Sequence, residues 1–344
     1  MAALYVTSLQ AGVGKTAVCA GLGRHLQGEG KKVGFFKPIV ADIKSLDKVE
    51  IDSDAEFIKR VLALTEPSES LCPVISRQGE LTSGIKQAYA KVSRGKDVVI
   101  VEGVWRLRPG GKPIEASYEV VKALDARVII VEPYSEELSG AKFIDKYKDF
   151  GEYLLGVVVN KAPRSRMEPV YEQLSSQIGG VGIDILGVLP EDRVLFGLTV
   201  GELAEHIQGE ILNCAEKSGE VVENFMLGAM IVDPGPDYFG RKANKAVVVR
   251  GERPDMQLAA LETPTKCLIL SGGVSPIHTV LRSAEDKGIP IILTKGDTVS
   301  VVNSVELALG KPRFNQEKKL PRLAEIMEQQ FDFQTIYKRL GLAG

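Results

Sequence analysis

Gly14-Lys15-Thr16 is the segment of this 344-residue chain whose composition points most directly to chemistry. A short apolar run ending near Thr7 leads into a turn of small residues, and an amphipathic stretch over 17–27 follows. Strand, small-residue loop and helix in this order predict a phosphate-binding loop, in which backbone N–H groups and the positive end of a helix dipole face an anion. Lys15 would offset β- and γ-phosphate charge, and the Thr16 hydroxyl would ligate Mg²⁺. Such a tripeptide also opens ordinary helices after a turn, which is the structural alternative.

The spacing of this loop departs from the common pattern GxxxxGK[ST]. That pattern would place its first glycine at position 9, where this chain has Leu9. We therefore predict a variant loop. Its expected nucleotide contacts are Ala11, Gly12, Val13, Gly14, Lys15, Thr16 and Ala17.

Three charged residues lie where strands end or a helix begins. Lys37-Pro38 ends the strand predicted within 32–40, and Glu102 ends the apolar run from 97. Asp54 opens an amphipathic stretch that extends to about residue 64. Because the carboxyl ends of parallel strands meet at one edge of a sheet, we expect these side chains near the loop. Thr16, Asp54 and Glu102 are the predicted Mg²⁺ ligands, with the holding of a bound water as the alternative role of Asp54. Lys15 and Lys37 are the predicted catalytic cations. An exposed lysine and a helix N-cap at Asp52 or Ser53 are the structural alternatives.

Asn160 and Pro163 suggest how a base would be selected. Asn160-Lys161 after an apolar run resembles the NKxD base-recognition motif of GTPases, but Pro163 replaces the aspartate that accepts protons from guanine. An amide alone can accept from adenine N6 and donate to N7. The sequence therefore favours ATP over GTP. A turn-forming Asn at the end of a strand is the alternative.

Apolar runs that alternate with helical stretches predict the fold class. They indicate an α/β protein with a doubly wound, mostly parallel sheet of the P-loop NTPase type over residues 1–210, closed by a helix over 199–207. A second, smaller α/β unit with a C-terminal helical tail is expected over 211–344. The turns at 250–253 and 271–273 are candidates for anion binding or simple tight turns. The tail from 314 is expected to pack on one of the domains or on a second subunit.

Composition excludes other classes. A formal net charge of −2 provides no basic field for nucleic acid. No apolar run approaches the ~20 residues of a membrane span, and the first strand begins too early for a signal peptide. The four cysteines form no CxxC pair, so we expect a reducing, cytoplasmic setting without a zinc site. The three histidines lack metal-like spacing, and no catalytic histidine or nucleophile is predicted.

Taken together, these motifs over residues 3–207 resemble dethiobiotin synthetase and its superfamily, which includes cobyrinic acid a,c-diamide synthase. That family shares the altered loop spacing, the Lys37-Pro38 strand end and the acid at Glu102. It also has a Mg²⁺-binding aspartate where this chain has Asp54, and an adenine-reading segment like the one around Asn160. The resemblance implies Mg²⁺ and ATP as ligands.

The departures from that family concern the reaction. The turns at 39–43 and 104–107 lack the substrate-contacting and glycine-rich sequences of dethiobiotin synthetase, and Ser8 and Ala11 replace its Gly and Thr. The Glu102-Gly103-Val104 segment resembles the corresponding sequence of the cobyrinate-amidating enzymes more closely. The Cys nucleophile and His base of their glutaminase domain are not recognisable in the second half of this sequence.

The second half resembles the DRTGG domain, through 251–261 and 268–273. A dethiobiotin synthetase-like domain followed by DRTGG also resembles the region before the catalytic part of long phosphate acetyltransferases. The resemblance implies a nucleotide-sensing or regulatory protein that forms a homodimer through this domain. The alternatives are an ATP-dependent ligase or synthase that phosphorylates a carboxylate or carbamate, and a degenerate fold without nucleotide.

Overall fold

The computed structural model describes residues 1–41, 52–76, 81–103, 113–228, 235–309 and 314–342. The chain divides into two compact units. The first comprises Met1–Glu191 and Phe314–Gly344, and the second comprises Asp192–Arg313. The second unit is therefore inserted into the first along the chain.

The first unit contains eight strands and nine helices among the described residues. Its strands are β1 (Ala2–Thr7), β2 (Val33–Phe36), β3 (Ile39–Ala41), β4 (Val74–Ser76), β5 (Val98–Glu102), β6 (Arg127–Pro133), β7 (Leu154–Ala162) and β8 (Asp184–Pro190). Its helices before the insertion are α1 (Lys15–Gly28), α2 (Ser53–Val61), α3 (Ser68–Leu71), α4 (Leu81–Ser93), α5 (Pro113–Leu124), α6 (Gly140–Tyr147) and α7 (Met167–Ile178).

Six of these strands form one parallel sheet in the order β2-β5-β1-β6-β7-β8, and β3 pairs with β4 separately. The strands are continuous apolar runs because helices cover both faces of a doubly wound sheet. All five residues of β5 are buried, as are all four of β2. The register pairs Val6 with Glu102 and Phe36 with Val101, which brings the carboxyl ends of three strands to one edge. The predicted P-loop-type parallel α/β fold is confirmed.

The second unit is also an α/β structure, as predicted. Its strands are β9 (Leu198–Thr199), β10 (Glu210–Ile211), β11 (Val221–Val222), β12 (Asn224–Leu227), β13 (Lys245–Arg250), β14 (Thr265–Ser271) and β15 (Ile291–Leu293). Its helices are α8 (Arg193–Phe196), α9 (Val200–His206), α10 (Gly235–Gly240), α11 (Pro254–Leu261), α12 (His278–Lys287) and α13 (Thr298–Leu309). A five-stranded sheet, ordered β10-β15-β14-β13-β12, separates two apolar clusters.

The boundary between the units differs from the one expected at 210. The helix predicted over 199–207 does not close the first sheet. Its buried residues Val200, Leu203 and Ala204 pack in the same cluster as Ala246 and Cys267 of the second sheet. The apolar face of a short helix is satisfied by either sheet, so periodicity alone could not assign it.

The C-terminal helices, α14 (Leu320–Gln330) and α15 (Phe333–Leu340), belong to the first unit rather than to residues 211–344 as expected. Phe331 forms an antiparallel bridge with Gly187 of β8, and the Asp332 amide donates to the Leu186 carbonyl at 2.7 Å. Met327 packs where Gly21 of α1 has no side chain. The tail thus covers part of the first sheet with an apolar face.

Some of the sequence predictions fall outside the described residues. The turn at 104–107 and residues 42–43 of the turn after Lys37-Pro38 are among them. Within the described part of the chain, no helix combines the length and apolar character of a membrane span.

Candidate functional site

The predicted phosphate loop lies between β1 and α1, and its conformation explains the altered spacing. Gly12 and Gly14 adopt left-handed backbone conformations with φ of 67° and 97°, whereas Leu9 does not. A glycine is therefore required at positions 12 and 14 but not at 9. A Cβ on Gly14 would also overlap the side-chain amide of Asn160. The Ser8 hydroxyl accepts from the Gln10 amide at 3.0 Å and supports the start of the loop.

Lys15 and Thr16 form the first turn of α1. Thr16 Oγ1 donates to Glu102 Oε1 at 3.1 Å, so the loop threonine and the acid at the end of β5 meet as predicted. Lys15 is largely buried, and burial lowers its pKa, an effect that the nearby Glu102 carboxylate partly opposes. Of the two alanines among the predicted nucleotide contacts, Ala17 is buried in α1 and Ala11 is exposed.

Lys37 lies at the centre of a cluster of carboxylates. Its Nζ lies 2.9 Å from Asp52 Oδ1, 2.8 Å from Asp54 Oδ2 and 3.2 Å from Glu102 Oε1. Burial alone would lower the pKa of Lys37, but Glu102, Asp54 and Asp52 together outweigh it and raise the pKa well above its usual value. The structure therefore brings Lys37, Asp54, Glu102 and Thr16 into one contact network.

Asp52 is a functional candidate that the sequence analysis considered only as an N-cap. It is the N-cap of α2, since its side chain accepts from the amides of Asp54 and Ala55 at 3.0 and 3.1 Å. The same oxygen also accepts from Lys37. The sequence did contain a signal for a role of Asp52 at the site. As the N-cap of α2 it lies near Asp54, the second residue of that helix, so both carboxylates can reach the same cation.

Glu102 has unused capacity for a cation. Its side chain is almost fully buried, and its Oε2 has no hydrogen-bond partner among the described residues. Burial raises the pKa of Glu102, against the opposing effect of Lys37. The oxygen donors of Thr16, Asp54 and Glu102 suit Mg²⁺, which prefers hard ligands. Within the described ranges, no three His, Cys, Asp or Glu side chains form a metal-type group, and Lys37 contacts two of the predicted ligands.

Asn160 and Lys161 connect the end of β7 to the loop. Asn160 Nδ2 donates to the Val13 carbonyl at 2.7 Å, and Lys161 Nζ donates to the Gly12 carbonyl at 2.7 Å. Asn160 Oδ1 accepts from the Lys161 amide, so in this conformation both ends of the Asn160 amide are engaged within the protein. Pro163 follows β7, and its carbonyl accepts from the Arg166 amide in a local turn. Sequence reasoning missed Lys161 as a loop contact.

The two candidate anion-binding turns of the second unit use their amides internally. The amides of Gly272 and Gly273 donate to the carbonyls of Gly296 and Thr294 at 2.8 and 2.9 Å. The Gly251 amide donates to Ser271, and the Arg253 side chain pairs with Asp255 at 2.7 Å. These contacts support the structural alternative of tight turns between strands and helices.

A parallel sheet with a glycine-shaped loop, Lys15-Thr16 and an acidic strand end defines a P-loop α/β domain. The chain belongs to the family described as AAA domain, whose profile matches residues 2–197. The DRTGG domain profile matches residues 202–308. Both predicted domain types are confirmed.

The chain is similar in sequence to two kinds of protein. A phosphate acetyltransferase of Nitrosomonas europaea is 26% identical over 372 residues, which cover 99% of this chain and 52% of that protein. The ATP-dependent dethiobiotin synthetase BioD of Caldicellulosiruptor saccharolyticus is 26% identical over 182 residues, covering 46% of this chain and 74% of the synthetase. The chain spans about half the length of the phosphate acetyltransferases that it matches.

Among solved structures, the chain is similar to the CBS and DRTGG domains of the regulatory region of Clostridium perfringens pyrophosphatase, crystallised with diadenosine tetraphosphate. The match covers 57% of this chain and 76% of that one, with 16% identity and a TM-score of 0.31.

Proposed function

We propose that this protein binds Mg-ATP in its P-loop unit and has a nucleotide-sensing or regulatory role. The observation that carries the proposal is the convergence of Lys15, Thr16, Lys37 and Glu102 beside a loop shaped by left-handed glycines. Helix α1 directs the positive end of its dipole at the same place. The cluster provides both cationic groups for phosphate oxygens and oxygen ligands for a metal ion.

Thr16, Asp54 and Glu102 are the residues that would hold Mg²⁺. The metal would neutralise phosphate charge, and Lys15 would contact the phosphates from the start of α1. Glu102 Oε2 is buried and has no hydrogen-bond partner in the described part of the chain, which supports this assignment because a buried carboxylate oxygen is costly without a partner.

ATP is the preferred nucleotide in this proposal. Asn160 lies against the loop, and Pro163 stands where a guanine-reading aspartate would be needed. Base recognition by Asn160 requires its amide to exchange a contact with Val13 or Lys161 for one with adenine. A preference for GTP in competition binding would contradict this part.

The DRTGG domain supports the regulatory role and a homodimer formed through that domain. The phosphate acetyltransferases are similar to this chain over about half of their own length, so the proposal does not extend to acetyl transfer. The four cysteines are free thiols, in keeping with the proposed reducing, cytoplasmic setting.

A second candidate is an ATP-dependent ligase or synthase of the dethiobiotin synthetase or cobyrinic acid a,c-diamide synthase type. The observation that favours it is Lys37, a second cation beside Glu102 and Asp54, whose side chain is only 11% exposed. Such a lysine can stabilise charge on a phosphoryl group in transfer to a carboxylate or carbamate.

Calorimetric titration with ATP, with and without Mg²⁺, tests nucleotide binding. Lys15→Ala should weaken ATP binding by about tenfold to a hundredfold, because a charge-assisted contact is lost. Lys86→Ala, an exposed lysine on α4, is the matched control and should bind as the wild type does. Circular dichroism verifies that both variants fold. No ATP binding by the wild type would overturn both candidate functions.

Two further measurements separate the candidates. ADP release that requires an added carboxylate and amine substrate favours the ligase, whereas binding without substrate-dependent turnover favours the sensor. Size determination with and without ATP tests the homodimer, and a monomer under both conditions would contradict it.

A further inference from the structure

The contacts of Lys37 show an internal cation held by three acids. Its ammonium is within 3.2 Å of Asp52, Asp54 and Glu102, and its side chain is only 11% exposed. Two of these acids, Asp54 and Glu102, are also the carboxylates proposed to hold Mg²⁺. A divalent cation bound there would share this pair of ligands with the Lys37 ammonium.

Glu102 shows that the shared ligands are not saturated by lysine. Its Oε1 accepts from both Thr16 and Lys37, while Oε2 is buried without a hydrogen-bond partner among the described residues. A carboxylate with one oxygen engaged and one unsatisfied gains more from a divalent cation than from a single ammonium.

Asp52 differs from the other two acids. Its Oδ1 is fixed by two backbone amides in the first turn of α2 while it accepts from Lys37. Since the capping contacts orient Asp52 independently of any metal, this carboxylate remains available to Lys37 when Asp54 and Glu102 turn to another cation.

We propose that Lys37 is an exchangeable internal counter-ion, which competes with Mg²⁺ for Asp54 and Glu102 and is retained at the site by Asp52. This inference rests on the metal ligands of the proposed function. Mg²⁺ binding then releases Lys37 from two acids, and Asp52 keeps it beside the phosphate loop. In this scheme Lys37 and Asp52 are positioning residues: Lys37 holds Asp54 and Glu102 in place before Mg²⁺ binds, and Asp52 holds Lys37 afterwards.

Calorimetric titration of the nucleotide-free protein with Mg²⁺ alone tests the competition. Lys37→Met should bind Mg²⁺ about tenfold more tightly than the wild type, because the competing charge is removed. Lys37→Gln, which keeps hydrogen-bonding capacity near the acids, should show the same gain. Lys37→Arg keeps the charge and should show none, and Lys86→Met is the surface control.

Asp52→Asn tests how Lys37 is retained. Asparagine caps helices as well as aspartate does, so α2 should remain intact. In the wild-type background this change should weaken Mg²⁺ binding, because Lys37 loses its alternative partner. In the Lys37→Met background it should have little effect. Equal effects in both backgrounds would indicate a general loss of negative charge and would overturn the role of Asp52.

The outcomes distinguish this inference from the proposed function. Equal Mg²⁺ affinities for the wild type, Lys37→Gln and Lys37→Met overturn the competition, even where ATP binding is intact. A wild type that binds no ATP, together with a gain in Mg²⁺ affinity for both uncharged Lys37 variants, overturns nucleotide sensing and supports the competition.

Discussion

At the scale of single residues, the loop depends on which backbone positions are left-handed. Gly12 and Gly14 occupy such positions, and Gly14 additionally lies against the Asn160 amide. Asn160 and Lys161 hold the neighbouring carbonyls of Val13 and Gly12. Because β7 side chains hold these carbonyls on one side of the loop, the first turn of α1 faces the proposed phosphate position on the other side.

Gly14→Ala and Gly12→Ala form a matched pair that separates backbone strain from steric overlap. Each alanine at positive φ should cost about 1–2 kcal/mol of stability. Only the Cβ at position 14 meets Asn160, because nothing lies within 4 Å of the one at position 12. We expect Gly14→Ala to reduce ATP affinity much more than Gly12→Ala in calorimetry. Similar losses for both variants would contradict a specific role for the Gly14–Asn160 contact.

At the scale of secondary structure, the C-terminal helices complete the first unit by packing against α1 and the edge strand β8. Leu323, Ile326 and Met327 of α14 are buried, and so is Ile336 of α15. An amphipathic helix of this length is stabilised mainly by the surface that it covers. The bridge between Phe331 and Gly187 attaches this segment to the edge strand β8, which would otherwise present unpaired backbone groups.

Gly187→Ala should weaken the docking of the C-terminal helices. A Cβ at this position would overlap the Gln330 carbonyl, so strand and segment must separate or shift. We expect a loss of about 2 kcal/mol in the free energy of unfolding, as in overpacked cores, and faster proteolysis after residue 314. Gly179→Ala, which has open space around its Cβ, is the control. Equal protease sensitivity of the two variants would argue against the bridge.

At the scale of the whole molecule, the second unit is an insertion between β8 and α14. A truncated chain of residues 1–191 lacks the segment that packs on Gly21 and Leu186, although it contains nearly all of the AAA domain match. The sequence profile therefore ends before the structural unit is complete. We therefore expect the stability of the P-loop unit to depend on residues that follow the DRTGG match.

Removing the insertion tests this dependence. Residues 1–191 joined to 314–344 by about 20 Gly/Ser residues, which can span roughly 60 Å when extended, should fold and unfold cooperatively. Residues 1–191 alone should show a lower thermal midpoint and more rapid hydrogen exchange in α1 and β8. Equal midpoints for the two proteins would show that the C-terminal helices are dispensable.

Lys245 predicts a pH dependence for the second unit. Its side chain is fully buried at the start of β13, and its ammonium donates to Thr263 Oγ1 and the Pro264 carbonyl. Burial lowers the pKa of Lys245 from 10.5 to about 8. The unfolded chain therefore binds more protons between these values, and the contribution of Lys245 to stability rises as pH increases through that window.

Thermal midpoints of the wild type and Lys245→Met, compared from pH 7.5 to 9.5, measure this effect. The difference should shift in favour of the wild type as pH rises, because groups common to both proteins cancel. Lys242→Met, an exposed lysine in the same unit, is the matched control. A difference that stays constant with pH would contradict the prediction.

The sequence alone indicated the fold class and the strand-loop-helix order around Gly14-Lys15-Thr16. Continuous apolar runs indicate buried parallel strands because neither face of such a strand meets water, and Gly14-Lys15-Thr16 is recognisable because its elements are adjacent along the chain. The polar residues at strand ends, Lys37, Glu102 and Asn160, could be assigned to one edge because the carboxyl ends of parallel strands meet there.

The long-range partners of these elements became known from the three-dimensional structure. The apolar faces of the helix over 199–207 and of the C-terminal helices fit either sheet, so their periodicity could not select one. The joint contact of Lys37 with Asp52, Asp54 and Glu102 likewise depends on the register of β1, β2 and β5 and on the position of α2. Because charge attraction has no preferred direction, the spacing of charged residues along the chain does not predict which of them form ion pairs.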